Sequence, residues 1–232
     1  AGSGKSFFLA RLLRDVVFVE RGLGVYNAAA ERRRRLTRVA VMAGIGVLAV
    51  ALVAGWAASF VRNVSYADEV AARLPAIQQG VAAIPPGTAG DVSLLIKPLA
   101  DVKTAARTGA FPIEDPPFTM TLGLYQGDKL DAGAQLAYHR LLEKAFAPRI
   151  ATRLEERLRA ANASNLENAY EALKNYLMLY TPDKFDADTL RAWIATDWDV
   201  PYALALDADG RAALDRHLDA MLSRGAPPPV VP

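Results

Sequence analysis

Cysteine is absent from all 232 residues. No disulfide framework and no thiolate metal site can form, which excludes cross-linked secreted scaffolds and zinc ribbons. Histidine is scarce as well: His139 and His217 are the only two. Neither has a second ligand at helical spacing, and Asp215-x-His217 puts its two side chains on different helix faces. Both histidines are expected at the surface or at the core boundary. No serine sits in a nucleophile elbow, no convincing alternating strand appears, and no repeat of fixed period recurs. No catalytic constellation is found, so the chain reads as a non-enzyme with no cofactor and no metal.

Charge is the third absence. Between Val39 and Val61, 23 residues carry no charge, and Ser59 has the only polar side chain. At about 1.5 Å per residue this is about 34 Å of helix, enough to cross a hydrocarbon core of about 30 Å with some tilt. The core helix of a soluble protein rarely runs so far without a charge. A cleaved signal peptide has a shorter apolar stretch, about 7–15 residues near the N-terminus, whereas 38 residues come first here. The expectation is a permanent transmembrane helix over residues 39–61.

The flanks orient it. Arg32, Arg33, Arg34, Arg35 and Arg38 precede the run and only Arg62 follows closely. The positive-inside bias places residues 1–38 in the cytoplasm and residues 62–232 on the far side. Residues 1–38 hold nine Lys/Arg and three Asp/Glu, net +6; the remainder holds eighteen and twenty-two, net −4. Trp56 and Phe60 lie near the outer end, where amphipathic rings favour the interface. Beside a span, the arginine cluster reads as a topology signal that can also touch anionic headgroups, not as a nucleic-acid site.

The outer part reads as helical nearly throughout. Leu142, Phe146, Ile150, Leu154 and Leu158 recur every four residues, with Arg153, Glu155, Glu156 and Arg157 mostly off that stripe. Pro148 is expected to kink or break this run. Ser164 and Glu167 form a capping box for a helix whose inner face is expected to be Leu166, Tyr170, Leu173 and Leu177, ended by Thr181-Pro182-Asp183. Asp186 can cap a helix carrying Leu190, Trp193, Ile194 and Trp198, and a last helix around residues 211–222 shows Leu214, Leu218, Met221 and Leu222. Residues 66–84 look like a continuation or near neighbour of the membrane helix, with Pro75 as its kink. Ile84-Pro85-Pro86-Gly87 is a break, and Asp91 can cap a helix through Arg107. The tyrosines and tryptophans, Tyr170, Tyr176, Tyr180, Trp193 and Trp198 among them, are expected as core anchors. The fold class is therefore all-α: one transmembrane helix, then a multi-helix domain.

The stretch from Phe111 through Pro116 and Pro117 is proline-rich and extended, and it leads to Leu122 and Tyr125. This surface loop is the candidate interaction patch, alongside the anchoring residues Arg32, Arg33, Arg34, Arg35, Arg38, Trp56 and Arg62.

Two motifs tempt. Gly2-Ser3-Gly4-Lys5-Ser6 matches the end of a phosphate-binding loop, but 32 residues between Ser6 and the span are too few for the rest of a nucleotide-binding sheet. The simpler reading is a Ser-capped amphipathic helix with Phe7, Phe8, Leu12, Val16 and Val17 on one face. In Asp207-Ala208-Asp209-Gly210, alignment of Gly210 with a calcium-loop glycine puts Ala205 and Arg216 at ligand positions, so a helix-starting turn is the better reading.

Taken in order, Ser6-Phe7-Phe8-Leu9, Leu12-Leu13-Arg14-Asp15-Val16-Val17-Phe18, Glu20-x-Gly22-Leu23, the arginine run, the span, Leu122-Gly123-Leu124-Tyr125-Gln126-Gly127, Tyr170-Glu171-Ala172-Leu173-Lys174-x-Tyr176-Leu177-Met178-Leu179 and Asp197-Trp198 resemble the IcmF-related inner-membrane subunits of bacterial type VI secretion systems. The resemblance covers most of the chain. It implies a fragment of a longer protein, in keeping with Ala1 at the start and the proline-rich Ala226-Pro227-Pro228-Pro229-Val230-Val231-Pro232 at the end. It also implies a last span followed by a helical periplasmic domain in the bacterial inner membrane. The partners it implies are a small inner-membrane secretion subunit, an outer-membrane lipoprotein contacted through sequence beyond this stretch, and further copies of the chain in a homo-oligomer. The function expected is a membrane-anchored structural scaffold. The alternative is the periplasmic sensor domain of a single-span signalling protein, although residues 1–38 show no sustained heptad.

Overall fold

The computed structural model describes residues 27–85, 91–162, 165–202 and 205–226. The expected amphipathic helix of the first segment with Gly2-Ser3-Gly4-Lys5-Ser6, the Pro86-Gly87 half of the break, and Ser164 of the capping box lie outside them. The chain forms two compact units, Ala1–Trp56 and Ala57–Pro232.

One helix, α1 (Ala28–Ala82), enters both units. Asn27 starts it: its side-chain oxygen accepts from the Ala30 amide at 3.1 Å, with Glu31 in the first turn. In the first unit the large apolar side chains are bare. Met42, Val47, Val50 and Val53 are exposed, and no residue in the most apolar stretch of the helix is buried. A helix this long and apolar, with none of its most apolar stretch buried among the described residues, can cross a bilayer. Residues 66–82 are a continuation of the same helix, which runs on through Pro75. Pro75 removes one amide donor and leaves the Ala71 carbonyl without its ladder partner.

In the second unit, α2 (Ile96–Lys103) follows a 3-10 turn at Ser93–Leu95. Asp91 does not cap α2, whose N-cap is Leu95 without a side-chain bond; it closes the turn before it, accepting from the Ser93 amide at 2.9 Å and from Tyr202 Oη at 3.0 Å. The helix stops four residues short of Arg107, because the chain turns at Thr104 to bring Ala105 and Ala106 inward. Next come α3 (Gly127–Leu141), a π-turn at Leu142–Phe146, and α4 (Ala147–Arg159). The expected break at Pro148 is absorbed by that π-turn. Its wider winding lets the proline sit at the start of α4, where no amide donor is needed. Then follow α5 (Leu166–Tyr180), a 3-10 turn at Pro182–Lys184, α6 (Ala187–Tyr202) and α7 (Ala208–Leu222). Asp186 caps α6 through the amides of Asp188 and Thr189, and Asp207 caps α7 through Gly210 at 2.8 Å. The acidic turn starts a helix, as expected. Every described element is helix or turn.

The core is the stripe Leu142, Phe146, Ile150 and Leu154, met by Leu190, Ile194 and Trp198 from α6 and by Leu214, Leu218, Met221 and Leu222 from α7. Helix α4 packs on α5, α2 on α3, and α7 on both α6 and α2. Against this core sits a buried carboxylate, Asp197, held by Arg153 Nε at 2.8 Å and by Arg157. Arg211 lies over the Trp198 ring and pairs with Asp199 at 3.1 Å.

Three expectations are corrected. Leu166, Tyr170, Leu173 and Leu177 form the outer face of α5, between 44% and 72% exposed, while Ala172, Asn175, Met178 and Leu179 face inward. Both faces of this helix are apolar, so periodicity could not choose between them; small Ala172 permits close approach to α4. Tyr170 is accordingly no core anchor. His217 is not a boundary residue but is buried, its Nδ1 2.8 Å from Tyr138 Oη; His139 is half-buried.

Burial, and after it Lys103 and Arg216, pushes the His217 pKa down to about 4. The unfolded imidazole titrates near about 6.5, so below that pH the unfolded chain binds the proton more readily. Stability is complete above about pH 6.5 and falls as pH drops toward 4, by on the order of 3 kcal/mol. Thermal unfolding between pH 7 and 4.5 should show this loss, and His217→Gln should flatten the profile while lowering stability at pH 7.

Candidate functional site: the junction of helix and loop

Beyond Ser59, one face of α1 supplies hydrogen-bond donors every three or four residues. Ser59 Oγ donates to the Met120 carbonyl at 3.2 Å, and Asn63 Nδ2 donates to the same oxygen at 3.0 Å. Arg62 donates to Thr119 Oγ1, Tyr66 Oη to the Ala106 carbonyl at 2.8 Å, and Arg73 to the Arg107 carbonyl at 2.7 Å. The acceptors lie in turns and loops, where backbone carbonyls lack ladder partners. The only polar side chain of the apolar run is thereby completely buried.

An aromatic cluster closes the junction. Tyr66 meets Phe111 at 5.2 Å and Tyr125 at 6.3 Å, and Tyr125 Oη donates to the Ile113 carbonyl at 2.9 Å. Met120 and Val70 fill the space beneath. Burial raises the pKa of both tyrosines, Tyr125 to about 12, so each hydroxyl stays a donor at neutral pH. Two glycines permit this arrangement. Gly123 has φ of +82°, and a Cβ on Gly127 would lie 2.0 Å from Tyr125 Oη.

The residues singled out from sequence divide between the two units. Arg32, Arg33, Arg34, Arg35 and Arg38 are exposed along α1 in the first, together with exposed Trp56. In the second, Arg62 reaches the loop of residues 111–125, where Phe111, Pro116, Leu122 and Tyr125 are half-buried and Pro117 is exposed. Ser59, Asn63 and Thr119 were missed as contact residues. The available signal was Ser59 itself, a lone polar residue in an apolar run with Asn63 one helical turn later.

Two apolar features lie elsewhere in the second unit. A groove of about 520 Å³ runs between α1, α2 and α3, lined by Val70, Leu74, Ile77, Ala105, Leu130 and Ala134. The stripe Leu166, Tyr170, Leu173 and Leu177 lies bare along α5. Among the described residues, no three His, Asp or Glu side chains converge as a metal site would require.

Comparisons with known proteins match residues 96–232 to the IcmF-related family, described as "Intracellular multiplication and human macrophage-killing", and residues 1–45 to the IcmF-related N-terminal domain. A curated relative, "Type VI secretion system component TssM1" of Pseudomonas aeruginosa, is 38% identical over 226 residues, 97% of this chain. The chain spans about a fifth of that relative's length. No solved structure matches.

Asn63→Ala removes the donor shared by Met120 and Ser59, with an expected loss of about 1–2 kcal/mol. Amides of residues 119–121 should exchange about 5–30-fold faster, with α7 unchanged. Unaltered exchange in the loop would show that α1 does not hold it.

Proposed function

The chain belongs to the IcmF-related family, and from that premise we propose that it is a membrane-anchored structural part of a type VI secretion membrane complex. The observation that carries this reading is α1: a helix of 55 residues whose most apolar stretch holds no buried residue among those described. Residues 39–61 cross the inner membrane, residues 1–38 face the cytoplasm, and residues 62–232 form a periplasmic helical body. The work is geometric. The span fixes position, and the helical unit offers surfaces to neighbouring subunits.

Those neighbours are further copies of the chain and an inner-membrane secretion subunit. An outer-membrane lipoprotein is reached through parts of the longer protein outside this stretch. The contact surface between copies is the α5 stripe of Leu166, Tyr170, Leu173 and Leu177, a contiguous apolar face of the kind that marks subunit contacts. No nucleotide or cofactor chemistry enters the proposal.

Cysteine at Asn27 and cysteine at Ser223, each introduced singly into this cysteine-free chain, should label from opposite sides of intact membranes. Labelling from one side rejects the topology. Leu173→Glu should shift the detergent-solubilised assembly to smaller species without altering helix content; an unchanged assembly removes the stripe from the contact.

A further inference from the structure

We propose that the 3-10 turn Phe118–Met120 is a second point of membrane attachment, with Phe118 entering the interfacial layer of the bilayer beside the outer end of the span. The inference rests on the reading that α1 crosses the membrane.

Contacts along α1 order the second unit by distance from the apolar run. Arg73 meets Arg107, Tyr66 meets Ala106 and Phe111, and Ser59, Arg62 and Asn63 meet Thr119 and Met120. The turn is therefore the part of the helical body bonded to the last residues of the run. Those residues, Phe60 and Val61, keep more than half of their own surface exposed. Lipid that meets Phe60 and Val61 stands at the level of the turn bonded to the neighbouring Ser59.

The turn presents an apolar side chain at that level. Phe118 is 77% exposed, more than any other large apolar residue described. It does not dangle. Pro117 precedes it, the Met120 amide donates to the Pro117 carbonyl at 2.7 Å, and Thr121 Oγ1 donates to the Phe118 carbonyl at 2.9 Å. Met120 itself is buried, with its carbonyl bound twice by α1. A rigid turn that holds an aromatic ring outward beside an apolar helix end fits the interface of a bilayer, where aromatic side chains concentrate.

The full 232-residue chain, with Phe118→Cys labelled by the fluorophore NBD, would be reconstituted into phosphatidylcholine vesicles containing doxyl lipid. Expected is a blue-shifted emission strongly quenched by shallow doxyl groups and little affected by aqueous iodide. Ser223→Cys serves as a water-exposed reference and Val50→Cys as a reference inside the span. Quenching at residue 118 by iodide alone, with residue 50 still quenched by doxyl, overturns the attachment and leaves the span intact. Protection at residue 118 from both quenchers also overturns it, in favour of a protein contact. Absence of doxyl quenching at residue 50 removes the membrane reading itself.

Discussion

The carbonyl oxygen of Met120 is the point on which the second unit turns. A loop carbonyl has no ladder partner, and leaving it unbonded away from water would be unfavourable by about 1–3 kcal/mol. Ser59 and Asn63, one helical turn apart, supply two donors to it. The loop of residues 111–125 is then pinned, the aromatic cluster of Tyr66, Phe111 and Tyr125 closes over it, and the half-buried rings exclude water from the bonds beneath. Gly123 and Gly127 matter because they let the chain make this approach. The Leu122-Gly123-Leu124-Tyr125-Gln126-Gly127 motif thus has a mechanical reason for its composition.

The helical body follows a different logic. Its centre is apolar and interdigitated, with Leu95, Leu99, Phe146, Leu154, Leu190, Trp198 and Leu214 almost wholly removed from water. Three polar groups enter it with partners: Asp197 between two arginines, His217 against Tyr138, and Asp91 under Tyr202. The Asp197 clamp ties α6 to α4 across the start of the core. Losing both arginines would strand the Asp197 carboxylate inside the protein, an unfavourable burial of an unpaired charge.

Much of this was legible from residue order. The apolar run, the stripe on α4, the caps at Asp186 and Asp207, and the core positions of α6 and α7 all follow from period and capping chemistry. The failures share a cause. Helix α5 is apolar on two faces, and only the partner helix decides which is covered, so Leu166, Tyr170, Leu173 and Leu177 were assigned to the wrong side. Proline at 148 looked like a break because a sequence does not display the π-turn that absorbs it. His217 looked peripheral because its partner, Tyr138, lies 79 residues away. The junction itself was half visible: Phe111, Tyr125, Ser59 and Arg62 stood out, while nothing in residue order showed that the donors on α1 meet acceptors about 40–60 residues away.

On the proposed reading that the run crosses a bilayer, the burial of Ser59 bears on how thick a membrane it matches. Counted by composition the run is 23 residues, about 34 Å, and would need tilt in a core of about 30 Å. With the loop docked at Ser59, the stretch left for lipid on that face ends at Ala58. Twenty residues span about 30 Å, the thickness of the hydrocarbon core. Hydrophobic mismatch then acts on the joint rather than on the helix: a thinner bilayer spares the docked loop, and a thicker one presses against it. On that proposed reading, the thickness of the surrounding lipid becomes a quantity to which the docked loop is exposed.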